Sequence, residues 1–122
     1  MELQRTIRKS GDVTILDLQG RATIGAGSDL LASELGRLLQ GAARNVLVNL
    51  GDVKQIDSSG ISTLVRMYVS FRHSGASLKL LAPQGRVRAV LSLTRLLSVI
   101  PTFDDEAAAL ASFRAKASSA QS

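Results

Sequence analysis

Hydrophobic positions at the start of the chain predict a β-hairpin. Two partly apolar runs, residues 3–9 and 12–18, lie on either side of Ser10-Gly11, a pair typical of a tight turn. The first run alternates poorly, so we predict that it is an edge strand. Gly20 is expected to close the second strand, and residues 21–27 are expected to form a loop because glycine is frequent there.

The next segment has the hydrophobic period of an amphipathic helix. Ser28 is expected to cap this helix, with Asp29 in the first turn, where a negative charge suits the helix dipole. Leucines recur at helical spacing and predict one inward face, and Gly41 predicts the end of the helix. The inward face comprises Leu30, Leu31, Leu35, Leu38 and Leu39.

A buried strand and a second helix are predicted in the middle of the chain. Residues 46–50 read VLVNL, which is apolar without strict alternation, as expected for a strand covered on both faces. From Gly60 the spacing becomes helical, and this helix is expected to end at Arg72-His73, before Gly75. Its predicted inward stripe consists of Ile61, Leu64, Val65 and Tyr68.

The last third predicts one more alternation of strands and helices. Residues 77–82 predict a short strand, and Pro83 is expected to start a helix that runs through residues 87–97. Val99-Ile100 are expected to form a final strand. The acidic run 104–106 suits the N-terminus of a last helix.

The predicted element order, ββαβαβαβα, indicates the fold class. Strands separated by helices favour an α/β fold with a mixed, mostly parallel sheet of four to five strands and helices packed on it. The chain has 122 residues, which suits a single domain. We expect this domain to span residues 1–116, with residues 117–122 as a disordered C-terminal tail.

Composition and charge exclude several classes of function. Zero cysteines exclude disulfides and thiolate metal sites, and the absence of a signal-like start or a long apolar run predicts a cytoplasmic protein without a membrane partner. The net charge of +5 comes mostly from arginine, at positions such as Arg5, Arg8, Arg86, Arg88 and Arg95. Because no stacking aromatics or known motif accompany these residues, we interpret them as solvated surface charge without direct nucleic-acid binding.

No enzyme site is evident in the sequence. A hydrolytic triad needs a nucleophile, a base and an orienting group, and His73 is the one histidine, at a predicted helix end. The acids at 104–106 are better explained as helix N-terminal charge than as metal ligands. We therefore predict a protein that is not an enzyme and that needs neither a cofactor nor a metal.

The run IDSSG, residues 56–60, is the strongest candidate for function. It lies where a strand gives way to a helix, so Asp57, Ser58 or Ser59 can accept hydrogen bonds from free backbone N–H groups, and Gly60 permits a tight turn. Ordinary helix capping explains this composition. The same geometry also suits a phosphoacceptor, since a phosphate on a serine here would meet unpaired N–H donors and the positive end of the helix dipole.

The central run NVLVNLGDVKQIDSSGISTLVRMYVSFRHSGASLKLL resembles the STAS domain (sulfate transporter and anti-sigma factor antagonist), specifically a stand-alone anti-sigma factor antagonist. The resemblance extends to LDLQGR before it and to VRAVLSLTRLLSVIPTFDDEAAAL after it. It implies the STAS-type fold and a partner-switching mechanism. The unphosphorylated protein would bind an anti-sigma factor that is also a serine kinase of the histidine-kinase-like (GHKL) ATPase type. A metal-dependent serine phosphatase would reset the switch.

The resemblance also implies roles for particular residues. The phosphorylated serine directly follows the aspartate, which indicates Ser58, with Ser59 as the alternative. Asp57 would orient the acceptor and the turn, while Ser59 and Gly60 begin the helix. The expected partner surface is the outward side of that helix, with one position in the preceding loop: Thr23, Ser62, Thr63, Arg66, Met67 and Ser70.

Two positions depart from the family pattern. Thr23 stands where many members carry an acid, in a loop that often helps to bind the kinase. Arg95 stands where many members have glycine, and if this position needs a positive φ, arginine would cost about 1 kcal/mol.

Other functions remain open at this point. The chain could be a structural STAS subunit of a larger stress-signalling or lipid-transport complex, and a STAS-like domain could bind GTP or ATP. Homodimerisation and the identities of the sigma factor, kinase and phosphatase are also left open.

Overall fold

The computed structural model describes residues 3–41 and 43–121, with the backbone alone for residues 115–121. In these ranges five strands and four α-helices follow the order ββαβαβαβα, so the predicted order is confirmed. The strands are β1 (Gln4–Ser10), β2 (Val13–Ala22), β3 (Asn45–Ile56), β4 (Ser77–Leu81) and β5 (Thr102–Phe103). The helices are α1 (Ala26–Gln40), α2 (Ser58–His73), α3 (Gly85–Leu93), the short 3-10 helix η1 (Leu96–Ser98) and α4 (Glu106–Gln121).

The five strands form one mixed sheet in the order β1-β2-β3-β4-β5. β1 pairs antiparallel with β2, with Ser10 opposite Val13, and the other three pairings are parallel. Every residue of β1 is exposed, so the predicted edge strand is confirmed. The predicted α/β class with a mostly parallel sheet is also confirmed.

Helices cover both faces of the sheet. The parallel strands β2 to β5 follow one another across the sheet in chain order. Because the connections between parallel strands have one handedness, α1, α2 and α3 lie on the same face of the sheet. Their side chains pack against β2, β3 and β4 in the larger core. The smaller core on the other face joins Val13, Ile15, Leu47 and Leu81 to Ala109 and Phe113 of α4. The predicted inward residues Leu31 and Leu35 are fully buried, whereas Leu30, Leu38 and Leu39 are half-buried against them.

Two arginines of β1 attach the edge strand to the helices on the two faces. Arg5 forms an ion pair with Glu34 of α1, and Arg8 pairs with Glu106 of α4 and with Asp17 at 2.6 Å. Burial alone would raise the pKa of Glu34, but hydrogen bonds from Arg37 and Arg5 outweigh burial and lower this pKa. Arg5 and Arg8 are exposed, in line with our interpretation of surface charge, but they also form ion pairs that the sequence did not indicate.

Three predicted boundaries near the candidate site are wrong. β2 does not end at Gly20 but continues to Ala22, because its last residues still pair with β3; Gly20 adopts a φ of 106° at a register shift within the strand. β3 likewise continues six residues past Leu50, to Ile56, paired with the extension of β2. α1 begins at Ala26 with Gly25 at its N-cap, so Ser28 lies inside the helix and does not cap it.

The predicted helix over residues 87–97 is interrupted in the structure. α3 begins at Gly85 and ends at Leu93, and Arg95 adopts a left-handed conformation with a φ of 62° before η1 starts. The predicted strand at Val99-Ile100 is also wrong, since Ile100 is buried in the core and β5 forms at Thr102–Phe103.

The C-terminal segment also differs from expectation. α4 continues through residues 117–121, where we expected a disordered tail, and Ser122 lies outside the described residues. In the part of the chain that the structure describes, no helix is both long enough and apolar enough to span a bilayer.

The backbone at Arg95 provides a test of stored strain. A left-handed conformation costs an L-residue with a β-carbon about 1 kcal/mol, whereas glycine adopts it freely. Arg95→Gly is therefore expected to raise the free energy of unfolding by up to about 1 kcal/mol, measured by urea denaturation. Arg95→Lys keeps the β-carbon and should leave the stability unchanged. A destabilised glycine variant would show that the arginine side chain contributes more than the strain costs.

Candidate functional site

Asp57 is the N-cap of α2 and fixes the start of this helix. Its backbone is extended, with a φ of −115°, and its Oδ1 accepts hydrogen bonds from the amides of Ser59 at 3.0 Å and Gly60 at 3.2 Å. The same oxygen accepts a hydrogen bond from the Ser59 hydroxyl. Among the three cap candidates that the sequence offers, the structure selects Asp57.

The second carboxylate oxygen of Asp57 holds the loop between β2 and α1. Oδ2 accepts a hydrogen bond from the amide of Ile24 at 2.9 Å, across 33 positions of sequence. Hydrogen bonds, first from the Ser59 hydroxyl and then from the amides of Ile24, Gly60 and Ser59, lower the pKa of Asp57 against a partial desolvation that raises it. Asp57 is therefore ionised at neutral pH and bonded on both oxygens.

The first turns of α1 and α2 both pack closely against the end of β2. A β-carbon on Gly27 would lie 2.3 Å from the Arg21 carbonyl oxygen, and one on Gly60 would lie 2.4 Å from the Ala22 carbonyl oxygen. Both helices therefore need glycine to rest against the strand. This close approach, not a special φ, explains Gly60 in the IDSSG run, since no positive φ occurs there.

The two serines of the run have different surroundings. The Ser59 hydroxyl is half-buried and donates to Asp57, so it belongs to the helix cap. Ser58 is the first residue of α2 and is exposed, and its hydroxyl has no hydrogen-bond partner among the described residues. Of the two serines, Ser58 therefore presents the hydroxyl that an external protein can reach without breaking the cap.

Two of the expected outward residues on α2 are in fact buried. Thr63 is 2% exposed and donates its hydroxyl to the Ser59 carbonyl at 2.9 Å, and Met67 is 8% exposed within the larger core. Predicting both as outward is wrong, because α2 contacts α1 on one side as well as the sheet below it. Because α1 and the sheet both contact α2, more of the helix surface is buried than the single inward stripe predicted from the sequence.

Exposed residues on α2 follow one line along the helix from Ser58. Ser62 and Arg66 are exposed at successive intervals of four, and Val69 and His73 continue the line to the other end of the helix. Ser70, the remaining predicted contact residue on α2, is half-buried. Val69 was not among the predicted contact residues. It lies eleven residues, or three helical turns, after Ser58, and this spacing could have indicated that it is on the same exposed side of α2.

The loop before α1 contributes an apolar side chain that sequence analysis also missed. Thr23, the predicted contact, is half-buried, and its carbonyl accepts a hydrogen bond from the amide of Ser28 at 2.8 Å. Its neighbour Ile24 is 82% exposed, while its amide is bonded to Asp57. An isoleucine alone in a glycine-rich loop, outside any hydrophobic period, was the available signal.

Together these residues form a surface suited to recognition and modification. We define the switch surface as Ile24, Ser58, Ser62 and Arg66, which combine an apolar side chain, two hydroxyls and a cation around one capped helix end. His73 lies at the opposite end of α2 from Ser58, so it cannot act as a base for this serine. Within the described ranges no group of three or more His, Asp or Glu side chains could hold a metal ion.

Comparison with known proteins identifies relatives of this chain. The STAS domain profile matches residues 4–109. A protein of Thermotoga maritima named as a candidate anti-sigma factor antagonist is 32% identical over 71 residues, covering 58% of this chain and 63% of the relative. The candidate anti-sigma factor antagonist BtrV of Bordetella bronchiseptica is 27% identical over 112 residues, covering 92% of this chain and 96% of BtrV.

Solved structures share the fold. The crystal structure of a candidate anti-sigma factor antagonist from Thermotoga maritima superposes with a TM-score of 0.83 at 26% identity, covering 90% of this chain and 94% of that one. An anti-sigma factor antagonist from Mycobacterium paratuberculosis has a TM-score of 0.79 at 18% identity, covering 93% and 95%. Unphosphorylated SpoIIAA, also an anti-sigma factor antagonist, has a TM-score of 0.67 at 15% identity, covering 93% and 98%.

Proposed function

Because this chain belongs to the STAS domain family, we propose that it is an anti-sigma factor antagonist that works by partner switching. Unphosphorylated, it binds an anti-sigma factor that is also a serine kinase, and so frees a sigma factor. Phosphorylation of Ser58 releases the kinase, and a serine phosphatase restores the binding form. The two relatives named as candidate anti-sigma factor antagonists support the general role.

The observation that carries this proposal is the contrast between Ser58 and Ser59. The Ser58 hydroxyl is exposed at the first position of α2 and has no hydrogen-bond partner among the described residues, whereas the Ser59 hydroxyl is held by Asp57. A kinase needs an acceptor hydroxyl that can enter its own active site. Asp57 contributes by positioning, since its hydrogen bonds to Ile24, Ser59 and Gly60 hold the acceptor segment in one conformation.

The physical effect of the phosphate is a change of charge on the switch surface. A phosphoserine carries roughly −1.5 to −2 charges at neutral pH. At Ser58 these charges stand at the N-terminus of α2, where the helix dipole stabilises them, so the fold tolerates the modification. The partner instead meets a doubly charged group beside the ionised Asp57, and an interface formed around a neutral hydroxyl is lost.

The switch surface favours a partner with an apolar pocket and acidic groups. Ile24 supplies an exposed aliphatic side chain, and Arg66 supplies the cation two turns along α2 from Ser58. An anti-sigma kinase with these features would contact Ile24 and Arg66 in addition to the acceptor serine. As part of the proposal, the protein acts in the cytoplasm as a single STAS domain and is not itself an enzyme.

Phosphorylation assays with matched serine variants test the proposed function. A lysate of the source cells, supplied with ATP, is expected to phosphorylate the wild type and Ser59→Ala once each and to leave Ser58→Ala unmodified, as read by intact mass spectrometry. Labelling of Ser58→Ala at the wild-type level would refute the assignment of the acceptor.

If the lysate phosphorylates a control STAS substrate but neither the wild type nor any variant, this protein does not act as a phosphorylation switch. A structural subunit of a stress-signalling or lipid-transport complex then becomes the better hypothesis, and co-purification of a transporter ATPase in place of a soluble kinase would support it. A calorimetric titration with GTP and ATP separately tests nucleotide binding.

A further inference from the structure

A second exposed surface lies where α3 turns into η1, away from the switch surface. We define the corner surface as the exposed residues Leu93, Thr94, Arg95, Ser98 and Val99. Leu93 is 84% exposed and Val99 is 51% exposed, although both are large aliphatic residues. Leu96 and Ile100, by contrast, are buried and anchor the same turn to the core.

The corner is held rigid by its own backbone. Amides of Thr94, Arg95, Ser98 and Ile100 donate to carbonyls four or three residues earlier, at 2.9 to 3.2 Å, and the Ser98 hydroxyl donates to the Arg95 carbonyl at 2.8 Å. Arg95 reaches this geometry only through its left-handed φ of 62°. Backbone strain of this kind persists only where the surrounding structure holds it, and such residues cluster at functional sites.

The charge of this region is one-sided. Residues 85–103, which include α3 and η1, contain three Lys or Arg residues and no Asp or Glu. Arg88 is neutralised by Asp104 at 2.8 Å, but Arg86 and Arg95 form no ion pair among the described residues. The corner surface therefore presents two aliphatic side chains around an uncompensated guanidinium.

From these observations we infer that the corner surface is a second docking site, for an acidic protein segment that carries aliphatic side chains. Carboxylates of the segment would pair with Arg95, and its aliphatic groups would cover Leu93 and Val99. A second copy of this chain that used the same surface is disfavoured, because the corner surface has no acidic residue to pair with Arg95 of the other copy. A membrane is disfavoured as well, because two aliphatic residues provide little apolar area for insertion.

The position of the corner predicts that this docking is independent of the switch. α2 and α3 both start at the carboxyl edge of the parallel strands, and α3 runs back from it by about 13 Å over nine residues. Leu93 thus lies toward the opposite edge of the sheet from Ser58. The inferred partner can bind whether or not Ser58 is modified, so the docking goes beyond the proposed switch function.

Titration of the ¹⁵N-labelled full chain with a short blocked peptide of leucine and glutamate tests the inference by NMR. Amide shift changes are expected to concentrate at residues 92–100. A Leu93→Ser/Val99→Ser variant and an Arg95→Glu variant should each weaken binding about tenfold or more. Two control variants should bind the peptide like the wild type. One is Ser58→Asp, and the other is Ile24→Ser, which removes an aliphatic side chain that is about as exposed as Leu93 but lies at the other edge of the sheet.

Several outcomes would overturn the inference. They are the absence of shift changes, changes centred on the switch surface, and equal binding of a peptide with alanine in place of leucine. Binding of phosphatidylglycerol vesicles but not of the peptide would assign the surface to a membrane. Loss of the corner signals on self-association would assign it to a second copy. Arg95→Gly, which removes the charge and the strain together, should be more stable yet bind the peptide less tightly than the wild type, though not as weakly as the charge-reversed Arg95→Glu.

Discussion

Ser58→Asp is expected to weaken binding of the proposed partner, an anti-sigma kinase, by about 100-fold or more. The Ser58 hydroxyl is exposed beside the ionised Asp57, so a carboxylate at position 58 adds a negative charge to the switch surface directly next to that of Asp57. Like charges brought together at an interface cost several kcal/mol, and each 1.4 kcal/mol corresponds to about tenfold in affinity. Isothermal titration calorimetry with the kinase, purified after capture by the immobilised wild type, measures this loss.

Ser58→Asn is the matched control for this substitution. Asparagine has nearly the size of aspartate and no charge, so it should lose much less affinity if charge is the cause. Both variants should keep the wild-type melting temperature, since Asp at the first position of a helix interacts favourably with the helix dipole and Asn is tolerated there. Equal weakening by Asp and Asn would mean that size, not charge, controls the interface.

Gly60→Ala is expected to destabilise the protein by about 1–3 kcal/mol, the range for groups forced into a packed site. The added β-carbon would lie 2.4 Å from the Ala22 carbonyl oxygen and 2.7 Å from Cγ1 of Ile56. Ala22 is held in the paired end of β2, so this oxygen cannot withdraw without disturbing the sheet. The start of α2 must then move, and the hydrogen bond between Asp57 and Ile24 should lengthen or break. Chemical denaturation measures the loss of stability.

Gly36→Ala is the matched control, because the same chemical change is made in open space. Gly36 lies inside α1, and a β-carbon there would meet no described heavy atom within 4 Å apart from the adjacent residues and backbone of its own helix. Alanine is favoured over glycine inside a helix by roughly 1 kcal/mol, so this variant should become more stable. The two glycine-to-alanine substitutions are thus expected to change the free energy of unfolding in opposite directions. A stabilising Gly60→Ala would show that the close approach between α2 and β2 relaxes at little cost.

These two predictions concern one structural unit. The first turn of α2 packs against the end of β2, and Asp57 caps this turn. Ser58 is the exposed first residue of the same turn. Gly60→Ala should therefore also weaken kinase binding, by displacing the acceptor segment without altering its charge. Restored binding at low temperature, where the variant is fully folded, would separate lost stability from lost geometry.

Local sequence patterns were sufficient for the order of elements and for the candidate site. Helical spacing marked α1 and α2, the apolar run marked the centre of β3, and a short polar sequence at a strand-to-helix junction marked IDSSG. Each of these signals depends on neighbours within a few positions along the chain. Physical chemistry acts at that range through hydrophobic periodicity and helix capping. The resemblance to the STAS family was available from the same residues, and the matching profile confirmed it.

Tertiary structure alone decided the remaining features, because each depends on residues distant in sequence. β2 and β3 extend past Gly20 and Leu50 because they pair with each other, and Thr63 and Met67 are buried because α1 lies beside α2. The hydrogen bond from Ile24 to Asp57 crosses 33 positions and brings an exposed isoleucine to the start of α2, where the proposed acceptor Ser58 lies. Ser58 and Ser59 are adjacent in sequence and alike in chemistry. The folded chain distinguishes them, since Asp57 can bond only the serine that the helix turns toward it.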